Sequence, residues 1–211
     1  MSCIDNAEKE VVSARVYGLI LTSQRLKEKL LPQGLVISPY EIIRYETTLT
    51  LHDTRGMSAT FERWESIRFL QDGVAGILDH VWGDGVLMTS YENDAGSLED
   101  SFVDEGRRHL VIGLPRPMGR GETMSFVVRR GVMAGFTGSD EWLEVSIDHP
   151  VRHLRAQILF PRARPVRHVM ADHHGMHAAL PIQRLADGTT AVRLETSRAR
   201  AHSPYLMRWS W

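Results

Sequence analysis

Five residues near the carboxyl end of the chain have the side chains and the spacing to bind a metal ion. They are His168, Asp172, His173, His174 and His177. Imidazoles three and four positions apart share one face of a helix, and Zn²⁺ accepts imidazole nitrogens together with a nearby carboxylate. One hypothesis is therefore a metal-dependent, hydrolase-like enzyme of β-barrel type, in which bound zinc lowers the pKa of a water molecule.

Two features of this segment favour a different interpretation. The zinc-protease signature places a glutamate between its two histidines, and none stands between His173 and His177. Gly175 and the absence of a periodic apolar pattern predict that residues 169–180 form a histidine-rich surface loop. Neighbouring imidazoles gain charge together near about pH 6, so such a loop would be a pH-sensitive surface.

The sequence contains no motif for nucleophilic catalysis. The Gly-x-Ser-x-Gly elbow is absent. His52 beside Asp53 and His149 beside Asp148 are sequence neighbours at predicted turns, where aspartate is common because it accepts backbone hydrogen bonds. We therefore favour a non-enzymatic protein and assign no catalytic residue.

Charged side chains are unevenly distributed, although the net charge is only −1. Arginines outnumber acidic residues from Trp142 to Trp211, and five of them are candidates for a basic interaction ridge: Arg152, Arg155, Arg162, Arg164 and Arg167. Such a ridge could bind protein or, as a second alternative, nucleic acid. Nucleic acid is the weaker interpretation, because the aromatic side chains that stack bases are not interleaved with these arginines.

An acidic segment lies earlier in the chain, from Ser90 to Glu105, and it contains no basic residue. Its spacing differs from the alternating carboxylates that wrap Ca²⁺, so we expect a solvated loop. Four of its residues are candidates for contact with the arginines of the same or another chain: Glu99, Asp100, Asp104 and Glu105. That pairing would give a homo-oligomer or a complex with a protein partner.

Most of the chain has the two-residue period of β-strands. In the last seven residues, large apolar side chains occupy every second position: Tyr205, Met207, Trp209 and Trp211. The same alternation in residues 143–147 and 154–160 predicts a hairpin. Several short strands separated by turn residues predict a mainly β fold over residues 39–211, an antiparallel β-sandwich that is Ig-like or jelly-roll-like.

Residues 5–31 carry the one strong helical pattern. Asp5 or Asn6 can cap the first turn, and Pro32 and Gly34 end the pattern. Between them, apolar residues recur at intervals of three and four positions: Val12, Val16, Leu19, Ile20, Leu26 and Leu30. We expect an amphipathic α-helix within residues 1–34 that docks onto a partner or mediates dimerisation.

Composition limits the remaining possibilities. The chain has 211 residues, 43% of them hydrophobic, which is enough for one substantial core. No apolar run is long enough to span a membrane, and the first residues lack the basic and apolar regions of a secretory signal. Cys3 is the only cysteine, so no intramolecular disulfide is expected. These features predict a cytoplasmic protein that does not contact membranes.

Together these patterns predict a non-enzymatic β-sandwich module for protein–protein interaction or ligand sensing. We expect a protein partner or self-association, and no cofactor unless the alternative zinc site exists. A small-molecule ligand stays open, because Trp64, Trp82 and Trp142 are candidates for lining a pocket. Large aromatic residues in a sandwich are nevertheless more often part of the core.

Overall fold

The structure, a computed structural model, describes residues 39–104, 106–147, 151–173, 175–200 and 203–211. All regular secondary structure in these residues is β-strand, which confirms the predicted mainly β class. The predicted helix of residues 1–34 lies outside them, as do Glu105, Asp148, His149 and His174. The described residues contain no helix that is long and apolar enough to cross a membrane.

The strands are numbered in chain order. They are β1 (Tyr40–Leu51), β2 (Ser58–Phe69), β3 (Val74–Val81), β4 (Val86–Asn93), β5 (Ser97–Asp104), β6 (Arg107–Met118), β7 (Thr123–Met133), β8 (Asp140–Ile147), β9 (Val151–Phe160), β10 (His168–His173), β11 (Met176–Ala179), β12 (Ile182–Arg184), β13 (Thr190–Ala199) and β14 (Ser203–Ser210).

These strands form three sheets within the described residues. The largest has seven strands in the order β12-β13-β9-β1-β2-β7-β4, the second has four in the order β11-β10-β14-β8, and the third has three in the order β3-β6-β5. Strands β1 and β9 pair in parallel, with Ile42 opposite Val151. The sequence pattern predicted antiparallel strands only, but the seven-stranded sheet is mixed because it contains this parallel pair.

The chain divides into two compact units. Among the described residues, the first unit comprises 39–40, 69–82 and 95–122 and contains the three-stranded sheet. The second comprises 41–68, 83–94 and the described residues from 123 onward, and it contains the other two sheets.

The predicted turn between β1 and β2 is held by a single carboxylate. Asp53 accepts backbone N–H groups from Arg55 at 2.7 Å, from Met57 at 3.2 Å and from Ser58 at 2.7 Å. Burial opposes ionisation of Asp53, but these three donors outweigh it, so the pKa of Asp53 is lowered. Asp53 is thus a turn residue, in agreement with the sequence interpretation.

The carboxyl-terminal strand packs as its alternation predicts. Tyr205, Met207 and Trp209 on β14 are 2%, 0% and 3% exposed, respectively. The Trp209 ring meets Phe160 of β9 edge to face, with ring centroids 5.6 Å apart and an interplanar angle of 82°. Because β9 belongs to the seven-stranded sheet and β14 to the four-stranded sheet, this contact joins the two sheets of the second unit.

The predicted hairpin of residues 143–160 is wrong, although both of its strands exist. Strand β8 pairs with β14, with Leu143 opposite Met207, and β9 pairs with β1 and β13. The two strands therefore lie in different sheets. Alternation specifies which side chains face a core, but it does not specify which strand lies alongside.

Two predicted loops are strands instead. The acidic segment from Ser90 to Glu105 contains the second half of β4 and all of β5. The histidine-rich segment contains β11 and all of β10 except His168, and these two strands pair as a hairpin. Strands β4, β5 and β11 lie at sheet edges, where many side chains are exposed. Such a strand lacks a clear apolar alternation, so its sequence resembles a loop.

The first unit carries a well-defined ion pair at the turn after β6. Arg116 donates from its two terminal nitrogens to Glu122, at 3.1 and 2.7 Å, and the Gly119 N–H donates to the same carboxylate at 2.5 Å. The hydrogen bond from Arg116 is the largest cause, and the Gly119 N–H the next, of a Glu122 pKa lowered to about 2.

This shift predicts a specific pH dependence. The folded-state pKa of Glu122 lies below its ordinary value of 4.5, so its stabilising contribution is present above about pH 4.5 and is lost as the pH falls toward 2. We expect Glu122→Gln to lower the urea midpoint near neutral pH and to lower it clearly less near about pH 3, because the stabilising contribution is by then partly lost. Arg116→Gln should behave in the same way. An equal loss at both pH values would contradict the assignment.

The two faces of β14 predict opposite mutational effects. Trp209→Ala removes a buried ring between the sheets and should lower the free energy of unfolding by about 3–5 kcal/mol. Its neighbour Arg208 is exposed, so Arg208→Ala should change that free energy by about 0.5 kcal/mol or less. Urea unfolding followed by circular dichroism measures both, and similar losses in the two variants would disprove the described orientation of β14.

Candidate functional site

A groove of about 470 Å³ lies on the four-stranded sheet of the second unit. Strands β8, β10 and β14 supply its lining: Asp140, Glu141, Trp142, His168, Met170, Arg208, Trp209 and Ser210. Most of these residues come from the outward-facing positions of their strands, so the groove opens on the side of the sheet opposite its core.

Strand register explains why residues so distant in sequence meet here. Arg208 on β14 stands opposite Trp142 on β8 and opposite Met170 on β10, which places the three side chains in one row across the sheet. A second row contains Asp140 on β8, Ser210 on β14 and His168 on β10. The intervening residues of each strand face the core, as the burial of Leu143, Val169 and Met207 shows.

The row of Trp142, Arg208 and Met170 has the composition of a binding surface. Trp142 is 39% exposed, which is high for so large an apolar side chain. Arg208 is exposed and forms no ion pair or hydrogen bond with any described residue. Tryptophan, arginine and methionine are the residue types enriched where proteins contact one another.

One end of the groove is acidic. Glu141 accepts the Gly138 N–H at 2.5 Å, and Asp140 accepts the Ser139 hydroxyl at 3.0 Å. Burial raises the pKa of Glu141, and the carboxylates of Asp84 and Asp140 add to that rise, while Arg164 opposes it. The Gly138 N–H also opposes the rise, so burial and the nearness of two other carboxylates together set the direction of the shift.

A further row continues the same face beyond the groove. Leu206 of β14 stands opposite Glu144 of β8 and Asp172 of β10, and Asp172 stands opposite His177 of β11. The His177 Nδ1 atom lies 3.6 Å from an oxygen of Asp172. Both side chains are substantially solvent-accessible, with 65% of His177 exposed.

The structure divides the predicted zinc ligands between two faces. His168 and Asp172 lie on the outer face of β10, whereas His173 lies on the inner face and meets the Tyr205 ring edge to face at 4.3 Å. His174 lies outside the described residues. No group of three or more His, Cys, Asp or Glu side chains within the described residues is close enough to hold a metal ion. The described residues therefore do not assemble a zinc site.

The predicted arginine ridge is largely engaged within the protein. Arg152 binds Glu41 at 3.1 Å, and Arg155 forms an ion pair with Glu46. Arg164 donates to the Thr54 carbonyl at 2.6 Å and lies 3.8 Å above the Trp211 ring. Arg162 and Arg167 are exposed. The set does not form one continuous free basic surface.

The predicted acidic contact residues lie on β5, in the first unit. Glu99 accepts a hydrogen bond from the Ser97 hydroxyl, and Asp100 accepts the Ser101 N–H at 2.7 Å. Asp104 ends the strand, but its side chain is not among those described, and Glu105 lies outside the described residues. Asp100 is exposed, as an acidic contact residue requires.

A row of rings in the first unit has a structural explanation. Phe102 stacks on His109 at 4.9 Å with an interplanar angle of 12°, and His80 stacks on Trp82 at 5.1 Å with an angle of 22°. In each pair the face of one ring stacks on the face of the other, whereas a nucleobase stacks on a ring whose face is exposed. The row therefore lends no support to nucleic-acid binding.

The sequence identified Trp142 as a pocket candidate but missed Arg208, Met170 and Asp140. The sequence did contain one signal for Arg208. It is a charged residue between two large apolar residues of an alternating strand, so its side chain is expected on the face opposite the core. Only the cross-strand register shows that these residues share one row.

Comparisons with known proteins show a shared fold without a shared sequence. No protein-family model matches the chain, and no curated protein matches it. A candidate protease from Parabacteroides distasonis ATCC 8503 has a TM-score of 0.50 and 11% identity, over 82% of this chain and 40% of that one. An M1 zinc metallopeptidase from Deinococcus radiodurans has a TM-score of 0.47 and 10% identity, over 80% of this chain and 42% of that one. The chain thus spans about two fifths of the length of the solved structures it matches.

Proposed function

We propose that the chain is a non-enzymatic binding module whose groove on the four-stranded sheet receives a segment of a protein partner. In this proposal the two sheets of the second unit form a β-sandwich, joined by the contact of Phe160 with Trp209. The helix predicted within residues 1–34 would be a second docking or dimerisation element, and the location would be cytoplasmic.

The exposed row of Trp142, Arg208 and Met170 is the observation that carries this proposal. A few large side chains provide most of the affinity of protein interfaces, and tryptophan and arginine are the commonest of them, each costing about 2 kcal/mol or more on removal. Arg208 has unused donors, and Trp142 has an exposed indole, so both offer contacts that the folded chain does not consume.

Enzymatic chemistry finds less support in the described residues. The Nε2 atom of His52 lies 2.7 Å from the Thr60 hydroxyl, but Asp53 is occupied by three backbone N–H groups and does not bind the His52 ring. This pair therefore lacks the carboxylate that orients the base of a catalytic triad. The His-Glu-x-x-His signature of zinc peptidases is also absent from the sequence. Likeness to a candidate protease at 11% identity therefore supports a fold and no peptidase activity.

Selection from a random-sequence peptide library tests the proposed function. We expect peptides selected on wild-type protein to lose at least about tenfold in affinity on Trp142→Ala, because the central contact of the groove is removed. Fluorescence polarisation with the selected peptides measures the affinities. Ile182→Ala is a matched control, since Ile182 is 41% exposed on β12 of the other sheet. Peptides that bind Trp142→Ala as well as wild type would refute the groove.

Elemental analysis tests the zinc alternative. Because His168 and His173 lie on opposite faces of β10, we expect protein purified without added metal to retain much less than one zinc ion per chain. We also expect the zinc content to be the same in His177→Ala. One zinc per chain that is lost in both His177→Ala and Asp172→Asn would establish the metal site and remove the main argument for a non-enzymatic protein.

A further inference from the structure

The charges around Trp142 indicate the kind of segment that the groove binds, provided that the proposed function holds. Asp140 and Glu144 lie two positions before and after Trp142 on β8, on the same outward face. Residues two apart on a strand are separated by roughly 6.7 Å, so both carboxylates flank the indole. Glu141, between Asp140 and Trp142, also lines the groove.

The balance of charge on this face is negative. Asp172 adds a further carboxylate on β10, and the cation on the same rows is Arg208. Burial is the largest cause of the raised pKa of Glu141, and the Gly138 N–H and Arg164 oppose it, while the carboxylates of Asp84 and Asp140 add to the rise because they lie close to this end of the groove. A partner that supplies positive charge would meet a complementary surface.

The position of β8 leaves this surface accessible. It is an edge strand of the four-stranded sheet, so the side of Trp142 away from β14 is not covered by another strand of that sheet. Arg44, Arg63, Arg107, Arg130 and Arg164 each lie over an aromatic ring elsewhere in the chain, whereas no described cation lies over the Trp142 ring. The face of an indole attracts a cation most strongly among the aromatic side chains.

We propose that the groove recognises a lysine or arginine side chain in an extended segment of a protein partner. The cationic group lies against the indole of Trp142, beside the carboxylate of Asp140. Arg208 and Met170 contact the backbone and the apolar stem of the same segment. Arg208 repels additional positive charge. The groove therefore selects a segment with one basic residue and not a segment that is basic throughout.

The peptide selection described above separates this inference from the proposed function. We expect the peptides that depend on Trp142 to be enriched in lysine and arginine over the unselected library. For a synthetic peptide of the selected sequence, replacing its lysine with glutamine should weaken binding by about tenfold, and raising the salt concentration should weaken it further. Asp140→Asn should reduce the same affinity, whereas Asp100→Asn, on β5 of the first unit, should not.

Substitution of Arg208 provides a second, independent readout. Arg208 is exposed and has no described partner, so Arg208→Gln should leave the fold intact. The change should weaken the glutamine peptide more than the lysine peptide, because Arg208 contacts the segment in both complexes but its charge repels only the lysine. Trp142-dependent peptides without enrichment in basic residues would overturn the inference and leave the proposed function standing. A library that yields no Trp142-dependent peptide would overturn both.

Discussion

The alternation of strand β14 couples the core of the second unit to its groove. Tyr205, Met207 and Trp209 fill the space between two sheets, and Arg208 and Ser210, on the opposite side of the same strand, line the groove. A shift of one residue in register would place Arg208 in the core and Trp209 in water. The burial of Trp209 against Phe160 therefore also determines where the arginine of the groove lies.

A second constraint comes from ion pairs across the parallel strands. Glu46 on β1 stands opposite Arg155 on β9 and pairs with it, and Glu41 pairs with Arg152 near the start of the same ladder. The basic surplus of the carboxyl-terminal part and the acidic surplus before it thus meet partly within one sheet. The charge asymmetry that the sequence suggested as an external feature is therefore in part an internal pairing.

Local patterns in the sequence predict a good part of this structure. Alternation identifies the core residues of β8, β9 and β14, and Asp53 identifies the first turn, because each of these signals depends on neighbours within a few positions. The parallel pairing of β1 with β9 and the separation of β8 from β9 depend on distant partners, which alternation does not encode. The groove was missed for the same reason: Trp142 and Arg208 become neighbours only through the pairing of β8 with β14. The described members of the histidine cluster divide between two faces because they lie on strands, which their spacing in the sequence does not reveal.

The parallel pair also has a consequence for how the chain is made. Glu41 and Arg152 are 111 positions apart, so β1 emerges during synthesis long before β9 exists. At the usual pace of translation this interval lasts roughly 6–20 s, far longer than a hairpin needs to form. During that time β1 can pair with β2, but its other edge stays open and exposes backbone donors and acceptors that invite aggregation. In the nascent chain, the charges of Glu41 and Glu46 discourage pairing of this open edge with the wrong strand. In the folded protein, the same side chains form ion pairs with Arg152 and Arg155.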